Sequence, residues 1–224
     1  MPRIIVFDVN ETLLDIGALE PHFVRAFGDH VALREWFNTV LLYSEVVSLA
    51  GPYADFGALG AAALDMTAGS RGISLMPEDR ERILTGTRSL PPHPDVRDGL
   101  RRLKDAGFRT VTLTNSAPAT VEQQLRHAGL DVLFERVFSV DAVRRFKPAP
   151  EPYRFVAREL GVETSALRMV AAHGWDIVGA MQAGCAGAFV ARPGKVLFPL
   201  SPVPDITGPD LRAVVDQILA RDSP

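Results

Sequence analysis

One cysteine, Cys185, stands in 224 residues, which excludes an internal disulfide framework and a cysteine-based zinc site. No block of basic residues occurs. Lys+Arg number 24 against 27 Asp+Glu, a net charge of −3, so the electrostatic footprint of a nucleic-acid partner is missing. No apolar run approaches the roughly 18 residues of a membrane span. The opening Met1-Pro2-Arg3 followed by a short apolar run lacks the order of a signal peptide, and a cytoplasmic protein is expected. Gly194-Lys195 lacks the spacing of a P-loop and no GxGxxG follows a strand, so nucleotide folds gain no support. What is present is ordinary globular composition, 47% hydrophobic and 23% charged, in a chain long enough for one large domain or a core with an insertion.

Ile4-Ile5-Val6-Phe7 reads as a strand buried on both faces, ending at Asp8. From about residue 15 to 90 the pattern is helical, with a long periodic segment through Trp36, Val40 and Val47 that Gly51-Pro52 ends, and further helices near 56–69 and 78–88. Leu90-Pro91-Pro92-His93-Pro94 reads as a rigid linker. Strands and helices then alternate. The strands are Thr110–Leu113, Arg136–Val140, Leu167–Ala171 and Ala188–Val190. Helices run from Asp95 (a plausible N-cap) to Gly107, from Pro118 to Gly129, near 150–160, near 176–183, and through Leu211 to Leu219. This rhythm predicts an α/β fold, a doubly wound parallel sheet of Rossmann-like type. The core spans 1–14 and 92–224, and a helical cap, 15–91, is inserted after the first strand.

Ligands of open parallel sheets bind beyond the carboxyl ends of the strands. The polar residues there are Asp8, Asn10 and Thr12 after the first strand, Thr114, Asn115 and Ser116 after the second, Lys147 after the third, and His173, Trp175 and Asp176 after the fourth. Each has a bland reading alone: Asp8 as a turn residue, Lys147 as a surface lysine, Asp176 as a helix cap, His173 as an ordinary hydrogen-bonded loop residue. Together they place two carboxylates and one ammonium at one sheet edge. A lysine beside Asp8 would keep it ionised, as a carboxylate nucleophile requires. Asp176 reads as a general base or a group that orients water. Thr12, Thr114 and Asn115 are candidate donors to an anionic substrate. Trp36, Phe37, Tyr43, Tyr53 and Phe56 read as packing between helices, some of them roofing the site.

Asp8-Val9-Asn10-Glu11-Thr12-Leu13, Leu113-Thr114-Asn115-Ser116, Lys147-Pro148 and Ala172-His173-Gly174-Trp175-Asp176 resemble, in order, the four motifs of the haloacid dehalogenase superfamily. In detail the chain looks most like the type II (S)-2-haloacid dehalogenases. Trp175-Asp176 is followed by Gly179-Ala180, Tyr153 lies six residues after Lys147, and Leu49, Gly51, Tyr53, Asp55 and Phe56 are similar to that branch's cap sequence. The resemblance implies that Asp8 attacks the halogen-bearing carbon of a small 2-haloalkanoate, and that water positioned by Asp176 hydrolyses the resulting ester to a 2-hydroxy acid. It implies that Lys147 balances the charges, that Tyr153 lines the pocket, and that Asn10, Thr12, Thr114, Asn115, His173 and Trp175 surround the substrate. It further implies no cofactor, no metal and a homodimer.

Three departures stand out. Phe37 follows Trp36 where the branch carries a halide-binding arginine, Asn10 replaces a tyrosine, and Ala171 and His173 replace two polar residues of the last motif. The main rival is a Mg²⁺-dependent phosphatase of the same superfamily. It would need an acid at Asn10 and a second acidic residue near Ala172. A non-catalytic binding protein on this fold is the third reading, and the intact Asp8, Lys147 and Asp176 argue against it.

Overall fold

The computed structural model describes residues 3–222. The apolar β-branched runs form a six-stranded parallel sheet, in the spatial order β3-β2-β1-β4-β5-β6. Its strands are β1 (Ile4–Phe7), β2 (Thr110–Thr114), β3 (Arg136–Ser139), β4 (Leu167–Ala171), β5 (Ala186–Val190) and β6 (Ile206–Gly208). Val6 lies opposite both Val111 and Met169, so β1 is central and every residue of β1, β2 and β4 is buried. The order reverses at β1 and β4. That is the switch point at which a parallel sheet opens a crevice beyond its carboxyl edge.

Helices α5 (Val96–Asp105), α6 (Pro118–Ala128), α7 (Pro150–Leu160), α8 (Gly174–Gln182) and α9 (Leu211–Arg221) follow or connect these strands. Proline opens α6 and α7, where a missing N–H costs nothing, and Gly129 ends α6 in the left-handed conformation at φ 62°. Leu100 and Leu103 of α5, with Leu211, Val214 and Ile218 of α9, are fully buried. Each such side chain contributes about 1.5–3 kcal/mol. Asp95 holds the N-cap position of α5 without capping it. Its Oδ2 instead accepts from Leu211 N at 2.7 Å and from Arg192 Nη1 at 2.7 Å, which ties the two helices together.

Between β1 and α5 the chain is helical: α1 (Glu20–Phe27), α2 (Val31–Ala50), α3 (Phe56–Ser70) and α4 (Pro77–Gly86). The chain leaves and re-enters this segment side by side, with Leu14 bridged to Pro92, Asp15 N donating to Pro91 O at 2.8 Å and His93 N to Leu13 O at 2.9 Å. Trp36 is buried and donates to Gly60 O at 2.8 Å, locking α2 to α3, whereas Tyr43 lies on the exposed side of α2. Tyr53 stacks on Phe146 of the loop between β3 and α7, and its hydroxyl donates to Asp141. No described helix is long and apolar enough to cross a membrane.

Two features differ from the sequence reading. Strand β6 is three residues long between prolines and carries too little pattern to be read. Helix α8 starts at Gly174, so Trp175 and Asp176 lie in its first turn rather than in the loop before it. A buried cation was also invisible in the pattern. Arg168, inside β4, bonds Asp222, Asp205 (2.7 Å) and Gly187 O (2.9 Å).

Candidate active site

Asp8 stands at the first position past β1, its N–H donating to Val170 O of the neighbouring strand at 3.1 Å. Lys147 Nζ reaches Asp8 Oδ1 at 2.9 Å, Asp176 Oδ2 at 2.6 Å and Leu113 O at 3.0 Å, satisfying its three donors. All three side chains are essentially excluded from water. Lys147 is brought there by a close approach of chain segments. A Cβ on Gly179 of α8 would sit 2.5 Å from Pro148 O, so only glycine lets the lysine loop lie on that helix.

Burial alone would raise the Asp8 carboxyl, but the Lys147 charge, His173 and the Thr12 hydroxyl overcome it and hold the group well below the usual carboxylate range. Burial works against the Lys147 charge too, yet Asp176 and Asp8 together hold it above the ordinary lysine value. For Asp176 burial and the nearby Asp8 win over Lys147, and its carboxyl is raised. Its Oδ1 accepts from the buried Tyr153 hydroxyl at 2.6 Å. Thr12 completes the support. Its hydroxyl donates to Asp8 Oδ2 at 2.6 Å and accepts from Ala172 N at 2.9 Å.

The remaining expected residues divide. Asn115 Oδ1 accepts from Lys147 N at 3.2 Å, bracing the lysine loop. Thr114 turns its hydroxyl to Ser116 N, 3.1 Å away, and serves the loop rather than Asp8. Asn10 donates to Ser116 Oγ at 3.1 Å and accepts from Gln124 at 3.2 Å. Trp175 lies under Lys147 Nζ, 5.9 Å from the ring centre, and stacks on His173 at 4.9 Å. His173 lies between two carboxylates, with Nδ1 3.3 Å from Asp8 Oδ2 and Nε2 2.7 Å from Glu11 Oε2. Cys185 is buried, its thiol pushed up to about 12 by burial and the Asp176 charge, and takes no part.

Sequence reasoning passed over Glu11, Lys195 and Gln124. Lys195 Nζ is 2.6 Å from Glu11 Oε2. Glu11 had a signal, since it sits between Asn10 and Thr12 in the first motif. Lys195 follows a glycine in a loop and had none.

A cavity of about 300 Å³ opens between the sheet edge and α2–α4. Asn10, Ser116 and Gln124 line its polar side together with the charged Asp55 and Arg88, and Trp36, Phe37, Val40 and Phe56 form its apolar roof. Asp8 itself does not line this cavity; it lies two residues before the lining Asn10, so an ionised, desolvated carboxylate stands behind the chamber floor, the kind of group suited to nucleophilic attack on carbon.

Residues 2–184 match the model of the haloacid dehalogenase-like hydrolases. The chain is 31% identical over 215 residues to an (S)-2-haloacid dehalogenase of Pseudomonas sp. (strain YL), covering 95% of this chain and 92% of that protein. It is 33% identical over 195 residues to an (S)-2-haloacid dehalogenase of Xanthobacter autotrophicus, covering 86% and 76%. The structure of L-2-haloacid dehalogenase from Xanthobacter autotrophicus with chloropropionic acid covalently bound superposes with a TM-score of 0.90, at 28% identity and 99% coverage of both chains.

Proposed function

The chain belongs to the haloacid dehalogenase-like hydrolases, and from that premise we propose that it hydrolyses a small (S)-2-haloalkanoic acid to the 2-hydroxy acid through an ester on Asp8. One observation carries the reading. The Asp8 carboxylate is held ionised by Lys147 at 2.9 Å and aligned by Thr12 at 2.6 Å, two residues before Asn10, which lines the cavity under α2. Asp8 displaces halide from the 2-carbon in line, inverting it. Desolvation sharpens the carboxylate as a nucleophile, and Lys147 keeps it unprotonated. Asp176 and Tyr153 fix Lys147. Asn115 braces the lysine loop, and Trp175 walls the site. Asn10, Ser116, Arg88 and the start of α6, where Ala117 and Thr120 line the cavity, suit the substrate carboxylate, because a guanidinium and the helix dipole favour an anion there.

Phosphate-ester hydrolysis fits less well. Asn10 cannot deliver a proton as a carboxylic acid does, and the charge of Asp8 and Asp176 is met by the ammonium between them. The same reading takes 15–91 as a cap that closes over substrate. It places the enzyme in the cytoplasm as a homodimer, for which the exposed Leu42, Val46 and Leu49 on one side of α2 offer an apolar contact.

The test is halide release from (S)-2-chloropropionate with EDTA present, beside p-nitrophenyl phosphate with Mg²⁺. Halide release that survives the chelator and is lost in Asp8→Asn supports the proposal. Mg²⁺-dependent phosphate release without halide release overturns it.

A further inference from the structure

We infer that His173 is the general base of the ester-hydrolysis step and that Glu11 is its positioning residue, an inference that rests on the ester reading above. The imidazole is 5% exposed and has no freedom to turn. Trp175 stacks on one side at 4.9 Å, Phe37 of α2 lies at 6.4 Å, and each ring nitrogen faces a carboxylate. Glu11 is itself constrained. Its backbone is left-handed at φ 63°, a conformation that costs a residue with a side chain, and Lys195 holds its carboxylate at 2.6 Å. This costly conformation, three residues from the nucleophile, aims the Glu11 carboxylate at the imidazole.

The charged groups facing the imidazole are Asp8 and Glu11 from the loop after β1. Lys195 approaches from the loop after β5, and Lys147 and Asp176 lie beyond Trp175. Arg34 of α2 lines the same outer cleft as Glu11 and Lys195. Burial disfavours the imidazolium, but the bonds to Asp8 and Glu11 outweigh it, and the resting group is held above the ordinary histidine value.

The reaction changes that balance at the right moment. Alkylation breaks the carbon–halogen bond, sends the halide off with the electron pair, and converts the Asp8 carboxylate to a neutral ester. The imidazolium then keeps only one adjacent anion. Its Nδ1 proton leaves to solvent alongside the halide, while Nε2–H stays on Glu11 and fixes the tautomer. The Nδ1 lone pair now faces the ester. It takes a proton from water as the water oxygen adds to Cγ of Asp8. The adduct collapses by cleaving the Cγ–O ester bond, and its hydroxyl proton passes to the departing alkoxide. Asp8 is again a carboxylate and His173 an imidazolium. Each turnover thus releases one halide and one proton, as the overall reaction demands.

Two alternatives are weaker on geometry. Asp176 is wholly buried with both oxygens already accepting, one from Lys147 and one from Tyr153. A role for His173 as the halide seat fails because in-line displacement sends halide to the far side of the carbon from Asp8, whereas Nδ1 is 3.3 Å from an Asp8 oxygen.

Rapid-quench turnover of (S)-2-chloropropionate by the full chain, with mass analysis of the Asp8 peptide, separates the two steps. In His173→Asn, whose amide hydrogen-bonds but takes no proton, a stoichiometric halide burst is expected within about tenfold of the wild-type rate. Ester should accumulate on Asp8, and steady turnover should fall by about 10²–10⁴. Glu11→Gln, a shape-preserving change, should move the acid limb of ester hydrolysis to lower pH, and His173→Asn should abolish that limb. Ester breakdown at the wild-type rate in His173→Asn, or an acid limb unmoved in Glu11→Gln, overturns the inference while leaving the dehalogenation reading intact. No halide and no Asp8 adduct with the wild-type protein overturns both.

Discussion

Lys147→Met removes one ammonium while nearly conserving volume, and leaves two carboxylates facing each other in a dry site. At 2.9 and 2.6 Å the gross attraction of Lys147 for Asp8 and for Asp176 is about 6 kcal/mol each at an effective dielectric of 20, most of it offset by desolvation. The measurable quantity is the cost of breaking the pair, about 3–5 kcal/mol. For a chain of this length that is a fall in Tm of about 6–20 °C near neutral pH. The pH dependence identifies the cause. Asp8 is depressed in the folded protein, so its contribution is complete above the unfolded carboxylate range and is lost as pH falls through the folded value. Lys147 is raised, so its contribution persists up to and beyond the ordinary lysine value. The deficit of the variant should therefore be largest at pH 7–8 and shrink as pH falls to 4, because burial raises Asp176 and the newly unpaired Asp8 and both take up protons on the way down. Thermal denaturation of both proteins across that range is the assay. An equal deficit at pH 4 and pH 8 would assign the loss to packing, and no deficit would refute the ion-pair account of the site.

Tyr153→Phe strips the hydroxyl from Asp176 Oδ1 and leaves a buried acceptor unpaired. A loss of about 1–3 kcal/mol by chemical denaturation is expected, with activity reduced but not abolished. Gly179→Ala sets a methyl 2.5 Å from Pro148 O, so the lysine loop must shift, and kcat should drop at least tenfold while the protein still folds. Arg168→Met removes the buried guanidinium that bonds both Asp222 and Asp205, far from the active site, and leaves the buried Asp222 only its Arg3 partner at 2.6 Å. It should cost about 3–5 kcal/mol in urea denaturation, with kcat at 25 °C unchanged.

The sheet was legible because each buried parallel strand is a short apolar run that ends in a polar residue, and the order of those runs fixes which polar residues share an edge. Asp8, Lys147 and Asp176 converge for that reason. Illegible features depend on relations that no local pattern carries. Asp95 has the residue type of an N-cap, yet its carboxylate serves the start of α9, 116 residues on, because Arg192 and Leu211 N arrive there. Thr114 and Thr12 look equivalent as hydroxyls after strands. Only Thr12 reaches Asp8, since its own turn folds back over β1 while Thr114 closes the turn to Ser116.

Phe37 and His173 read as two separate departures from a motif, but in space they are one change. The ring at 37 lies against the imidazole at 173, and Asp8 and Glu11 hold that imidazole's proton above the ordinary histidine value. A phenyl group there excludes water from the imidazole face and sets no second cation beside it, which would otherwise drive off the His173 proton. The consequence falls on the leaving group. With an apolar ring on the roof, the halide departs towards Trp36, Phe37 and Val40, and no cation stands at position 37 to receive it; Arg88, elsewhere in the lining, is the cavity's guanidinium. An apolar wall of this kind stabilises a large, weakly hydrated anion better than a small, strongly hydrated one. The (S)-2-bromo acid should accordingly outpace the chloro acid in the halide burst. Restoring a cation with Phe37→Arg should narrow that gap and lower the pH at which His173 loses its proton, and a gap unchanged in Phe37→Arg would separate the two residues again.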